Sequence, residues 1–147
     1  MAVMSIPTRA ALAAFIKDTR TLRDFEALFN AVRQRPTLMK AANYTVQPSD
    51  SGSILVATAA DVVFTLPPTA DGLWYTIVFK VPSAGTGGKV SPDANDKIMG
   101  NGFTSANNKD AINSGATDRE GDSITLAADG LDGWFIIGIT GTWAREA

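Results

Sequence analysis

Chemistry in this chain must come from carboxylates, lysine, tyrosine and hydroxyls, because its 147 residues include neither histidine nor cysteine. Without cysteine there are no disulfides, thiol nucleophiles, Fe–S clusters or thiolate zinc sites. Without histidine the commonest general base, the Ser-His-Asp type of triad and the usual transition-metal ligand are gone. Three groupings remain to be weighed. Asp93, Asn95 and Asp96 offer the oxygen ligands that a hard cation wants. They lack the alternating spacing of an EF-hand and its bidentate Glu at the twelfth position, so Pro92-Asp93 with Asn95 is better read as a turn. Asp118, Glu120 and Asp122 would share a face if extended, as the carboxylate pairs of glycoside hydrolases do. Arg119 and Gly121 between them, in a loop region, read instead as solvated polar sequence. Gly85-Thr86-Gly87-Gly88 before Lys89 resembles a phosphate loop, yet a genuine one ends in Gly-Lys-Ser/Thr and opens a helix. Here Lys89-Val90-Ser91 runs toward Pro92, so no helix is expected. No catalytic, cofactor or metal site is assigned, and the chain reads as a non-enzyme.

The elements that surround these residues change character near residue 41. All 13 glycines follow Ser51, the first being Gly52. Residues 1–40 hold seven Lys/Arg against three Asp/Glu, and residues 41–147 hold six against twelve, which is net +4 and net −6. A basic, glycine-free arm (1–40) therefore precedes an acidic, turn-rich body (41–147). In the arm, Pro7 followed by Ala10–Ile16 reads as one helix, with Ser5 or Thr8 available as a cap. Thr21-Leu22-Arg23-Asp24 has the spacing of a capping box, and Leu22, Phe25, Leu28, Phe29 and Val32 recur at helical offsets until Pro36 disfavours helix at Arg35. Asp18–Thr21 would be a short break between the two helices. Such an apolar stripe must pack on something, because an isolated helix of about 14 residues is marginal in water. Its occupant is either the body of the same chain or another protein, so Leu22, Phe25, Leu28, Phe29, Val32, Arg33 and Arg35 are candidate contact residues. Arg20, Arg23, Arg33 and Arg35 make a poor footprint for nucleic acid, because the body is acidic and has no basic-aromatic face. No apolar run reaches the roughly 20 residues of a membrane helix, and the N-terminus has no signal-peptide pattern, so the chain is expected to be soluble and unexported.

From Asn43 the period becomes two. Candidate strands are 44–47, 53–58, 62–66, 73–81, 89–91, 97–99, 122–127 and 133–140, all rich in Val, Ile, Thr and aromatic residues. Turn pairs separate them, among them Ser51-Gly52, Asp71-Gly72, Asn101-Gly102 and Asp129-Gly130. Short strands with no helical pattern between them predict a mainly β fold, an antiparallel, jelly-roll-like sandwich preceded by a short helical segment. Residues 100–121 break the rhythm with a long polar excursion, read as an exposed loop that orders in an assembly. Thr65-Leu66 leading to Ala70-Asp71-Gly72-Leu73-Trp74 echoes Thr125-Leu126 leading to Ala128-Asp129-Gly130-Leu131, and each reads as a hairpin. Aromatic residues from Trp74 to Phe135 are expected in the core, with Trp143 the least obviously buried and hence a further candidate contact.

The body resembles a module of tailed-bacteriophage structural proteins. The segments that do so are Tyr44-Thr45-Val46, Asp50-Ser51-Gly52, Val63-Phe64-Thr65-Leu66-Pro67, Gly72-Leu73-Trp74-Tyr75, Gly121–Leu126 and Gly133–Gly138 with Gly141-Thr142-Trp143. They look like those of capsid decoration (cement) proteins and of head- or tail-fibre bases. The resemblance implies a homotrimeric virion protein of the capsid surface, made in the host cytoplasm. Its partners would be itself and the major capsid protein, with no cofactor, nucleic acid or membrane. A fibre base or adaptor and a host-glycan-binding module are the alternatives.

Overall fold

The computed structural model describes residues 19–147, apart from the side chains of Thr19, Arg20, Leu22, Phe29, Ala31, Val32 and Arg33. The helix read over Ala10–Ile16 lies outside the described residues. The chain divides at Arg35/Pro36 into two units, not at residue 40.

In the first unit α1 (Thr19–Arg33) is an amphipathic helix. It is helical from Thr19, so the break expected over Asp18–Thr21 is absent from Thr19 onward, and Thr21 stands inside the first turn. Its last turn closes with the Gln34 amide donating to the Asn30 carbonyl, just before Pro36.

The second unit is a mainly β body of two sheets. Its strands are β1 (Thr37–Lys40), β2 (Tyr44–Thr45), β3 (Ile54–Ala57), β4 (Val63–Thr65), β5 (Trp74–Phe79), β6 (Lys89–Ser91), β7 (Lys97–Met99), β8 (Ala111–Asn113), β9 (Asp122–Ala128), β10 (Gly133–Thr140) and β11 (Trp143–Arg145). One sheet has the order β1-β3-β5-β9-β10-β7, the other β11-β8-β6-β4-β2. Odd and even strands up to β6 thus fall in different sheets. The chain winds as three coils, each giving one strand to each sheet.

This winding corrects the antiparallel jelly-roll expectation. A jelly roll pairs its strands antiparallel, whereas β1·β3, β3·β5, β2·β4, β4·β6 and β7·β10 are parallel. Parallel neighbours need a crossover connection, and here the intervening strand of the opposite sheet supplies it. Antiparallel pairing begins where β9 folds back on β5 and β10 on β9, and where β8 and β11 close the second sheet.

Both sheets bury one face in a single core. Alternation sets the faces: in β5, Tyr75, Ile77 and Phe79 point inward, and in β9, Asp122, Ile124 and Leu126 do. Aromatic rings join the sheets. Phe79 on β5 meets Phe64 on β4 edge-on at 6.0 Å and Trp143 on β11 at 5.8 Å, geometries that suit ring quadrupoles.

Of the two echoing segments, only the second is a hairpin, with Trp134 paired to Ala128 across the turn. The first crosses from β4 in one sheet to β5 in the other. Pro67 and Pro68 carry no N–H for a ladder, and the next amide, Thr69, donates to the Asp96 carboxylate at 2.7 Å.

The polar excursion at 100–121 is built into the body. Asn107 bridges to Lys97, covering one side of β7, and the Asn108 amide donates to the Asp96 carbonyl. Farther on, Ala111–Asn113 is β8 itself. Covering an edge in this way removes a template for unwanted pairing. At the opposite end of the body, the Lys40 ammonium lies over the Tyr44 ring and the Tyr44 hydroxyl donates to Asp50, so charge and side-chain bonding blunt that edge.

Candidate functional site

The carboxylates singled out in the sequence are placed where they fasten loops. Asp93 accepts from the Asn95 amide, the turn expected there. Asp118 accepts from the Ser83 amide. Asp122, nine-tenths buried, accepts from the Asn113 side-chain amide at 2.9 Å and the Arg119 amide at 3.0 Å. Glu120 is exposed beside them. Two of the three members of that acidic group therefore spend an oxygen on protein donors.

Gly85–Gly88 leads into strand β6, not a helix. Its glycines answer to packing. A Cβ on Gly87 would lie 2.2 Å from the Asn113 carbonyl, and one on Gly88 would lie 2.0 Å from the Phe79 ring.

The densest polar cluster gathers where the turn before β10 meets the Thr69 loop and the turn before β7. One oxygen of Asp129 accepts from the amides of Leu131, Asp132 and Gly133, at 2.8, 3.1 and 3.0 Å. The Leu131 N–H leads in holding the Asp129 carboxyl below its usual range, with the Gly133 and Asp132 amides adding to it against some burial. Asp96 behaves in the opposite way. Burial raises its carboxyl and the charges of Asp93 and Asp129 add to the rise, while the Thr69 amide and the Trp134 indole oppose it. The Trp134 indole N–H is buried without a hydrogen-bond partner, facing Asp96 but outside bonding geometry. Tyr75 nearby in the core donates to the Gln47 carbonyl, and burial, then the Asp50 charge, pushes its phenol up to about 12. The hydroxyl stays protonated at any physiological pH.

Asp96 and Asp129 bend the pH dependence of stability in opposite directions. A folded-state pKa above the unfolded value means that the contribution of Asp96 is complete below the usual carboxylate value of about 3.9 and is lost as pH rises through the folded value. The depressed Asp129 contributes above the usual value, and its part is lost as pH falls through the folded one. Asp96→Asn keeps an oxygen for the Thr69 amide and removes the charge. We expect this variant to melt above wild type at pH 7 and level with it near pH 3.5, followed by tryptophan fluorescence. A pH 7 melting point at or below that of wild type would sink the account.

The candidate contact residues fall in two groups. On α1, Phe25 and Leu28 are exposed at 39% and 57%, and Arg35 is exposed just beyond the helix. The side chains of Leu22, Phe29, Val32 and Arg33 lie outside the described ones. Trp143 sits in the core at 8% exposure, its indole N–H donating to the Thr140 carbonyl and its ring against Phe79. Pairing of β11 with β8 turns Trp143 inward, so it is not the least buried of the aromatics.

Sequence reading missed a different surface, the outer face of the six-stranded sheet. Register places Met99, Phe135 and Ala127 in one row across β7, β10 and β9. A second row sets Thr140, Ser123, Val78, Val56 and Met39 from β10 to β1. The pairing shifts between Ile136 and Gly138, so Ile137 is the extra residue of a bulge. Phe135, Ile137 and Met39 are exposed at 49%, 61% and 60%. Among the strand residues of this sheet, Lys97 on the edge strand β7 is the charge on this face, and it is ion-paired with Asp132 at 2.6 Å; Lys80, exposed, follows the end of β5. The available signal was the alternation of β10, where Phe135 and Ile137 occupy positions that a solvated face fills with polar residues.

The fold and these surfaces define a class: a two-sheet β body whose buried acids hold its loops and whose broad outer face bears few charges. Among the described residues no group of three or more carboxylates is placed to hold a metal ion, and no helix is long and apolar enough to cross a membrane. Set against family models, curated proteins and solved structures, the chain matches none of them.

Proposed function

We propose that this chain is a structural virion protein, a homotrimeric decoration protein that binds the surface of a phage capsid and stabilises the shell. The observation that supports the reading most is the pairing of a self-fastened β body with an outer sheet face that bears few charges and exposes Met39, Phe135 and Ile137, a build suited to adhesion. The resemblance of segments 44–143 to phage decoration and fibre-base modules points the same way. Mechanism follows from mass action. A subunit that binds the assembled shell but not its separated parts lowers the free energy of the shell alone, by about 2.7 kcal/mol per site at a hundredfold excess over Kd. The shell then resists expansion.

Pelleting with shells that lack decoration tests this. Full-length protein is expected to co-sediment with such shells to saturation and to raise their disruption temperature. Protein that stays in the supernatant at micromolar concentration overturns the reading. Saturation at a few copies per particle, in place of a lattice-wide number, would move the protein to a fibre base.

A further inference from the structure

We infer that the outer face of the six-stranded sheet, along β10 and the turn that precedes it, is where the chain meets another copy of itself. This names the self-contact of the function proposed above and rests on that reading only for the number of copies. Leu131 stands at the tip of that turn, 84% exposed. The three amides gathered by Asp129 hold the turn that presents it. Phe135 and Ile137 continue the apolar strip along β10, exposed at 49% and 61%. Three large exposed hydrophobics on one strand and its turn exceed the scattered singles of an ordinary surface.

Charge selects the occupant. Residues 41–147 carry twelve Asp/Glu against six Lys/Arg, so two bodies repel wherever their acidic surfaces approach. The strands of this sheet direct no carboxylate outward: Asp122 of β9 is buried, and Lys97 is already paired. The strand face is therefore where like-charged copies can touch with the fewest acids between them, since the carboxylates of the adjoining turn are engaged, Asp129 by three amides and Asp132 by Lys97. A basic partner would gain nothing from a neutral face and would be drawn to the acidic loops instead.

Area agrees. Six strands about 4.8 Å apart, averaging about five residues of 3.3 Å, project roughly 500 Å². Accessible area on a side-chain-covered sheet exceeds its projection, which brings the face toward the roughly 800 Å² per partner of a standard interface.

Sedimentation equilibrium of the full chain tests the inference, with Ile137→Lys as the main variant. Ile137 lies on an exposed bulge, so the new charge has no core to disturb. Leu131→Lys, at the tip of the turn, is the second variant, and circular dichroism melts confirm that both fold. Wild type is expected to be oligomeric at micromolar concentration, with a Kd that changes less than threefold between 0.05 and 0.5 M salt. Ile137→Lys is expected to raise that Kd at least a hundredfold and Leu131→Lys at least tenfold. A monomeric wild type, an oligomer that dissolves in salt, or two variants that sediment like wild type would each overturn the inference. If wild type associates through Ile137 yet ignores shells, the decoration reading fails and this one stands. If it binds shells and the variants leave its association unchanged, only this one fails.

Discussion

Gly88→Ala should lower the melting temperature of the β body by about 10 °C, although it adds one methyl group and asks for no unusual backbone angle. The added Cβ would stand 2.0, 2.3 and 2.7 Å from three atoms of the Phe79 ring. Phe79 is 2% exposed and has Phe64 and Trp143 on other sides, at 6.0 and 5.8 Å between ring centres. A ring so held has nowhere to retreat, and overpacking of this kind costs about 1–3 kcal/mol or more. For a domain of this size each kcal/mol is worth roughly 4 °C. Gly72→Ala is the comparison. Its Cβ meets nothing within 4 Å but its φ is +80, so the cost is the backbone strain alone, about 1–2 kcal/mol. Differential scanning calorimetry should therefore rank Gly88→Ala below Gly72→Ala. Phe79→Leu introduced into Gly88→Ala should recover part of the loss by making room. Equal melting of Gly88→Ala and wild type would mean that the Phe79 ring does not fill the space beside Gly88.

The same glycine shows where sequence reading ran out. Gly85–Gly88 attracts attention as a phosphate-loop fragment, and its local pattern dismisses that reading without supplying another. The reason for glycine is an aromatic ring from β5, brought there by the alternation of strands between sheets. Eight of the strands were legible because period-two alternation and turn pairs are local. β1, β8 and β11 were not, and length is not the reason, since β4, β6 and β7 have three residues each. β1 follows Pro36 and ends in Lys40, and β8 sits inside an Asn- and Asp-rich stretch. The winding itself left no repeat to find. Thr37 pairs with Ile54 and Ile54 with Thr76, coils of 17 and 22 residues, while Tyr44 to Phe64 and Phe64 to Val90 span 20 and 26. A repeat is recognised by a fixed period, and coils of unequal length have none. Direction of pairing is likewise a property of the connection and not of the strands, so runs of Val, Ile and Thr could not say that most of these pairs are parallel.

Trp143 was expected to be the least buried of the aromatics for a related reason: its burial follows from the pairing of β11 with β8, which the sequence does not display. The polar cluster around Asp96 and Asp129 was read in part. Its turn chemistry at Asp93 was legible, whereas the approach of Thr69 and Trp134 was not, since it joins residues 27 and 38 positions from Asp96. Phe135 carried a usable signal that the reading spent on the core.

Two truncations should separate what the arm does from what β1 does. Removing residues 1–35 takes no residue from the described core, whose members run from Val46 to Trp143. The remainder is expected to melt cooperatively with the circular dichroism of a β protein. Removing residues 1–40 takes β1 as well. Four residues of parallel ladder with β3 are then lost, together with the Ile54 amide's bond to the Pro36 carbonyl and the Thr58 amide's bond to Lys40. Leu38, packed against the core, goes with them. A fully buried leucine costs about 2–5 kcal/mol to truncate, the half-buried Leu38 toward the lower end, and each lost backbone bond costs about 1. Set against a total stability of about 5–15 kcal/mol, the longer truncation should unfold at or near room temperature. A body that folds equally well without residues 36–40 would show that β1 adds nothing to the sheet. A body that fails already without 1–35 would make the arm structural. Attachment is read from the shorter truncation in the pelleting assay: on the decoration proposal it folds and stays in the supernatant. The arm's share of binding should also weaken with salt, because residues 1–35 hold six Lys/Arg against three Asp/Glu, net +3, and exposed charges are screened over roughly 8–10 Å at physiological ionic strength. Undiminished, salt-indifferent pelleting of the shorter truncation would place attachment on the β body alone and leave the arm without a part in it.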